Sequence, residues 1–319
     1  VERLGAKYRS ENETKRELST PSHYAYLKIS EGCNWMCGYC AIPLIRGRHK
    51  SVPMERLITE AEELVAKGVR EIMVIAQDTT YYGVDLYGER KIAELLERLC
   101  RIEKLEWIRL HYAYPTDFPD ELIEVMAREK KICRYLDIPF QHISDNQLAA
   151  MKRRHTKAEA LALIAKLRRS IPDIALRTTL LVGYPGETEQ DFTELMEFVR
   201  ETKFDRLGVF PYSEEEGTYS ATRLKDDVAE EVKHDRVDRI MRLQERVSLE
   251  NNARRIGQTM RVIIDRKEGD FYIGRSEYDS PEVDQEIIID SNSKRLYRGR
   301  FYNVEITDCE DYDLYARVI

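Results

Sequence analysis

No apolar run in the 319-residue chain approaches the ~18 residues that a membrane helix needs, and Leu180-Leu181-Val182 is typical of the longest. A secretory leader is missing as well: residues 1–23 (VERLGAKYRSENETKRELSTPSH) are polar and mixed in charge. The chain opens on a valine, as a fragment or a processed form would. Cysteine is sparse, at six residues, and Cys100, Cys133 and Cys309 stand far apart with no motif between them. That excludes a disulfide framework and points to a cytoplasmic protein with reduced thiols. An excess of positive charge is absent too. With 51 Lys+Arg against 58 Asp+Glu the net charge is −7, which argues against a protein that coats nucleic acid through bulk electrostatics. No solenoid repeat and no low-complexity tract is visible.

What is there is an ordinary globular composition, 42% hydrophobic and 34% charged, with room for a large domain and a small one. Six strand candidates alternate with helical patterns: YAYLKIS (24–30), REIMVIAQ (70–77), WIRLHYAY (107–114), RYLDIPFQ (134–141), IALRTTLLV (174–182) and RLGVFPYS (206–213). They alternate only weakly in polarity, as strands covered on both faces do. Capping boxes are expected at Ser144–Gln147 and Thr156–Glu159, with a weaker version at Thr188–Asp191. Pro53 and Pro119 suit first helical turns. This series predicts an α/β fold, a partial six-stranded parallel (β/α) barrel over 24–224. A closing helix and linker follow at 225–257. Residues 258–319, with short alternating strands and Glu-Gly-Asp, Ser-Pro and Asp-Ser-Asn turns, read as a small all-β barrel.

The segment EGCNWMCGYC, residues 31–40, places Cys33, Cys37 and Cys40 within eight positions. Three thiolates on one loop can each bind one iron of a 4Fe–4S cubane, leaving the fourth iron without a protein ligand. An open iron can chelate the amino and carboxylate groups of S-adenosyl-L-methionine. One electron then cleaves a sulfur–carbon bond and yields a 5′-deoxyadenosyl radical, able to abstract hydrogen from unactivated carbon. Zinc is the competing metal, but it needs a fourth ligand, and neither His23 nor His49 makes a standard spacing. Incidental buried cysteines are the plainest alternative.

The spacing Cys-x3-Cys-x-aromatic-Cys, with Tyr39 as the aromatic, resembles the radical-SAM signature. Together with EGCNWMCGYCAIPLIRG, TLLVGYPGETEQDF and the terminal β-module, it makes the chain similar to the methylthiotransferase family over about residues 20–319. The last domain of that family is called TRAM. The stretches KISEGCN, IAQDTTYYGVDL, LHYAYP and LDIPFQHISDNQLAAMKR look most like the branch that modifies a ribosomal protein. The branch acting on tRNA adenosine reads more like LPVQSGS where this chain has IPFQHIS.

The resemblance implies methylthiolation of an aspartate β-carbon on small-subunit ribosomal protein number twelve. S-adenosyl-L-methionine would serve as radical source and as methyl donor, and a flavodoxin or ferredoxin as electron donor. A tRNA adenosine is the alternative substrate. A non-catalytic ribosome- or RNA-binding protein with a structural cluster is the alternative of another class. The family also carries an N-terminal domain whose three further cysteines bind a second 4Fe–4S cluster. Cys100, Cys133 and Cys309 do not reproduce that pattern, so one cluster is expected in this chain and a second in the full-length enzyme.

Other residues admit a functional and a plainer reading. Gln77 and Asp78 end the second strand candidate, Gln141 ends the fourth and Arg177 lies in the fifth. By position they suit the methionine and ribose parts of the cofactor, and Arg177 suits its carboxylate through bidentate pairing. Alternatively they satisfy strand-end amides or fill barrel layers. Gly183, Pro185 and Gly186 form a turn that the family places near the adenine, where a missing side chain permits close backbone approach. Arg46 and Arg48 could hold an acidic group or stand in solvent. His111 and His142 fit structural hydrogen bonding. No residue stands out as an acid–base catalyst. The terminal module, 258–319, has 9 Lys+Arg and 14 Asp+Glu, a net of 9 − 14 = −5. Its sign suits a basic protein partner better than tRNA.

Overall fold

The computed structural model describes residues 19–291 and 294–319, so most of the polar lead expected at 1–23 lies outside the described residues. The first half runs β1 (Tyr24–Lys28), β2 (Ser30–Glu31), α1 (Ile42–Arg46), β3 (Lys50–Ser51), α2 (Met54–Ala66), β4 (Glu71–Ile75), α3 (Val84–Tyr87), α4 (Ile92–Cys100), β5 (Trp107–Leu110) and α5 (Asp120–Arg128). It continues through β6 (Ile132–Asp137), α6 (Asp145–Ala150), α7 (Lys157–Ser170), β7 (Ala175–Val182), α8 (Glu189–Thr202), β8 (Arg206–Pro211), α9 (Tyr219–Arg223) and the long α10 (Glu230–Ala253). The C-terminal part is β9 (Thr259–Glu268), β10 (Phe271–Arg275), β11 (Ile287–Asp290), β12 (Phe301–Cys309) and β13 (Leu314–Val318).

Strands β1, β4, β5, β6, β7 and β8 form one parallel six-stranded sheet in that order, the expected partial barrel. Strands β9 to β13 close into a separate small barrel with its own core of Val262, Ile264, Ile287, Ile289, Val304, Ile306 and Leu314. Between them, α10 lies along α8 and β8. Among the described residues no helix is long and apolar enough to cross a membrane.

Weak alternation implied cover on both sheet faces, and both are covered, by different parts of the chain. Side chains along a strand point alternately to opposite faces. Ala25 and Leu27, Ile72 and Val74, and Ile108 and Leu110 all join the helices' Leu57, Leu64, Leu95 and Leu99 in one dry core. The alternate set is richer in polar and aromatic groups, with Tyr24, Tyr26, Glu71, Arg109, Tyr135 and Arg177 beside the apolar Met73, Cys133 and Ala175. Covering that second face is the C-terminal module. Arg275 donates to Glu71 at 2.8 Å and to Asp265 at 2.6 Å, while Arg109 donates to Glu71 at 2.9 Å; Glu71 and Arg109 are fully buried. The loop 276–285 continues the contact through Arg177 with Asp284, Arg206 with Asp279, Tyr24 with Glu282 and His111 with Ser280.

Local details follow the backbone's needs. Thr156 and Thr188 both form complete capping boxes. Ser144 does not, because its hydroxyl donates to Asp191 on α8. Pro53 and Pro119 stand at the N-cap, just before the first turn. Strand β6 stops at Asp137, short of the predicted 141, because Pro139 has no N–H to continue the ladder.

Candidate functional site

The three clustered thiols lie on one loop, 32–41, between β2 and α1. Its backbone is tied on several sides. Cys33 N donates to Gly47 O at 3.1 Å, and Gly38 N donates to Met151 O at 2.8 Å. Gly38 O accepts from both Ser220 N, at 2.9 Å, and Ser220 Oγ, at 2.8 Å. A Cβ on Gly38 would stand 2.6 Å from Tyr184 Oη, beyond the end of β7, so a larger residue would have to displace that ring or the loop.

Aromatic groups wall the loop. Trp35 Nε1 donates to Asp78 Oδ2 at 2.6 Å, and Asp78 also accepts from Thr80 N and Oγ1. The Trp35 ring stacks on Tyr114, with centroids 4.2 Å apart and planes 6° from parallel. The Arg153 guanidinium sits 4.2 Å from the Tyr114 centroid, on the face that Trp35 leaves free, and Nη1 donates to Cys37 Sγ at 3.8 Å. Arg154 lies over Trp35. Asp78 follows β4, Tyr114 follows β5, Arg153 follows β6 and α6, Tyr184 follows β7 and Ser220 follows β8. Every strand of the sheet thus sends a residue from beyond its C-terminal end, where barrels carry their chemistry.

Cys37 is buried and Cys33 and Cys40 are half-buried, all in one cluster with Trp35, Tyr39, Tyr81 and Tyr114. Burial pushes the Cys33 thiol up to about 12 and raises Cys40 as well. Cys33 and Cys40 therefore favour the neutral thiol without metal, and iron would displace their protons. Among the described residues no three His, Cys, Asp or Glu side chains converge on a single ion. A cubane asks for something else: each sulfur binds its own iron, so the sulfurs stand farther apart than the ligands of one ion. Three soft donors on one loop, with no carboxylate among them, fit that group. Zinc fits less well. His49 Nε2 is 3.1 Å from Ser51 Oγ and His23 Nε2 is 2.7 Å from Asp265, so both histidines are engaged elsewhere.

The structure brings together part of the residue set read from the sequence. Tyr39 stands on the loop, edge-on to Tyr184 at 6.5 Å. Gln77 donates to Glu31 at 3.3 Å, and its buried Oε1 has no partner. Asp78 is buried and holds Trp35, so it reaches the loop through another side chain. Gln141 takes a left-handed backbone, φ 70°, bridging to Leu180; a non-glycine residue adopts this only at some energetic cost. Gly183 has φ 71°, and the side chain that crowds its missing Cβ belongs to Lys233. Its amide is held by the Glu187 carboxylate. Arg177 does not join the group: its guanidinium, on the inner sheet face, already meets Asp137 and Asp284, both at 3.3 Å. To take a cofactor carboxylate it would have to leave or share these two acids.

Arg46 and Arg48 are exposed. His142 takes an N–H from Ser144 on Nδ1 at 3.0 Å, so its Nε2 carries the proton toward Glu187 at 3.2 Å, a structural role. Cys100, Cys133 and Cys309 belong to three separate cores. Trp35, Tyr114 and Arg153 escaped the sequence reading. Trp35 lies inside the cysteine motif and was open to notice. Arg153, within Lys-Arg-Arg, carries the look of a solvated charge run.

Residues 27–199 match the family described as the Radical SAM superfamily, and residues 256–319 match the TRAM domain. The chain is 55% identical over 316 residues to the ribosomal protein uS12 methylthiotransferase RimO of Phocaeicola vulgatus, covering 99% of this chain and 73% of that one. It is 54% identical to the same enzyme of Bacteroides thetaiotaomicron, covering 99% of this chain and 72% of that one. Among solved structures, coproporphyrinogen III oxidase (HemN) from Escherichia coli, a radical SAM enzyme, superposes with a TM-score of 0.55 at 17% identity, over 81% of this chain and 68% of that one. The last likeness concerns the fold alone.

Proposed function

The chain belongs to the RimO family of radical-SAM methylthiotransferases, and from that premise we propose that it methylthiolates ribosomal protein uS12, at an aspartate β-carbon. The observation that carries the reading is the three-thiol loop at the C-terminal ends of the barrel strands, in a chain with this degree of identity to uS12-modifying enzymes. Cys33, Cys37 and Cys40 are the proposed ligands of a 4Fe–4S cluster, with the fourth iron left for S-adenosyl-L-methionine. When bound, the cluster supplies the electron for reductive cleavage of that cofactor.

The chain's own residues position and shield. Ser220 and Met151 fix the loop backbone on either side of Gly38. The Asp78–Trp35 bond holds an aromatic wall that, with Tyr81 and Tyr114, keeps water from the sulfurs and lowers the local dielectric. Tyr39, Gln77, Gln141 and Gly183 are the proposed cofactor contacts, Gln77 offering an unpartnered carbonyl oxygen. A flavodoxin or ferredoxin delivers the electron. A basic substrate would meet the carboxylates that the C-terminal module leaves exposed, Asp270, Asp308 and Glu310.

The test is direct. The anaerobically reconstituted enzyme, reduced by flavodoxin or ferredoxin, is given uS12 and hypomodified tRNA side by side. Mass spectrometry should find the methylthio group on uS12, and 5′-deoxyadenosine should accumulate; modification of tRNA alone would overturn the reading. Neutralising Asp270, Asp308 and Glu310 together should raise the KM for uS12 several-fold while leaving uncoupled cofactor cleavage unchanged. An unaltered KM would remove the module from substrate contact.

A further inference from the structure

Among the described residues, most arginines with little exposure have an acid. Arg109 and Arg275 share Glu71, Arg206 meets Asp279, and Arg236 meets Glu187. Arg153 is the exception. It is 8% exposed, and among the described residues no Asp or Glu pairs with it. One guanidinium nitrogen donates to Pro139 O and another to Cys37 Sγ, while Nε has no partner. The side chains against it include Tyr114 and Cys37, and among the described residues no carboxylate. A buried cation left in this state is costly, and proteins retain such groups where an anion balances them.

The anion that this geometry calls for is the one the adjacent loop would hold. A cubane bound by three thiolates carries net negative charge, and that charge grows by one on reduction. We propose that Arg153 is the counter-ion of the iron–sulfur cluster, balancing its charge through Cys37 and easing its reduction. The inference rests on the reading that Cys33, Cys37 and Cys40 hold the cluster. A thiolate bound to iron has no proton to give, so Tyr114 Oη, 3.8 Å from Cys37 Sγ, becomes a second donor to the same sulfur. Hydrogen bonds to cluster sulfurs and nearby positive charge both favour the more reduced state. The Trp35–Tyr114–Arg153 stack holds the guanidinium in place, which makes Arg153 a positioning residue rather than a catalytic one.

The test is a redox titration of the reconstituted chain, followed by the electron paramagnetic resonance of the reduced cluster, with iron content and circular dichroism as controls. At the potential where half of the unaltered protein is reduced, Arg153→Gln should show a reduced-to-oxidised ratio roughly tenfold lower, a fall of about 59 mV for a one-electron couple. Tyr114→Phe should shift the same way by less, and Arg153→Lys, which keeps the charge, should stay near the unaltered value. An unshifted midpoint in Arg153→Gln, or Arg153→Lys falling as far, would overturn the proposal. Should Arg153→Gln fail to fold, an unshifted Tyr114→Phe would overturn it equally. If the unaltered chain assembles no cluster at all, the fault lies instead with the ligand assignment.

Discussion

His155 shows how little of a residue's setting its sequence neighbours disclose. It stands in a run of Lys, Arg and Thr, yet it is 4% exposed, faces Phe140, and has no hydrogen-bond partner on either ring nitrogen. Burial first, and then the Arg153 charge, lower its pKa from 6.5 to about 3. Between those two values the unfolded chain binds a proton that the folded chain refuses. Stability is therefore lost as pH falls from about 6.5 toward 3, by about 1.4 kcal/mol per pH unit at most, and nothing is lost above that window. His155→Phe should flatten the pH dependence of the melting temperature between pH 6 and 4 and leave it unchanged at pH 8. A parallel acid limb in both proteins would show that the ring does not control it. The three cysteines were legible because spacing encodes them. Arg153 and His155 were not, because burial arises from chain segments far apart in sequence.

At the scale of elements, the helix starts separate two superficially equal signals. Thr156 and Ser144 both open an expected capping box, but only Thr156 completes one, with the Glu159 side chain returning to its amide. Ser144 bonds instead to Asp191, which also accepts from Thr188. Burial alone would raise the Asp191 carboxyl; the hydroxyls of Ser144 and Thr188 hold it below the usual range. Thr156→Ala should therefore cost about 1 kcal/mol by loss of a cap. Ser144→Ala, measured by the same thermal unfolding, should cost additively with Thr156→Ala but less than additively with Asp191→Asn, since the latter pair share one bond. Additivity in both pairs would refute the assignment. Strand positions were read well because β-branched and aromatic runs mark them, whereas the C-terminal ends of β5 and β6 were both overrun by four residues. There the chain leaves the ladder to deliver Tyr114 and Gln141, with left-handed turns at Tyr112 and at Gln141 itself, and nothing in the composition marks where the ladder ends.

For the whole molecule, the legible part was two domains and their order; the hidden part was how they meet. The net charge of −5 on the terminal module suggested an outward-facing acidic surface, yet Asp265, Asp279, Glu282 and Asp284 turn inward to the sheet. Tertiary pairing, invisible to a charge count, absorbs part of the excess. Glu71→Gln would leave Arg109 without an acid and Arg275 with Asp265 alone, in one buried space. It should cost about 3–5 kcal/mol, seen as a lower melting temperature and as faster proteolysis between α10 and β9. An unchanged melting temperature would mean that the pair is not electrostatically matched there. The loop 276–285 lies over Tyr24, Arg109, Arg177 and Arg206 on the inner face, so a ligand bound at the thiol loop meets a sheet whose inner face is already filled by the chain's own terminal module.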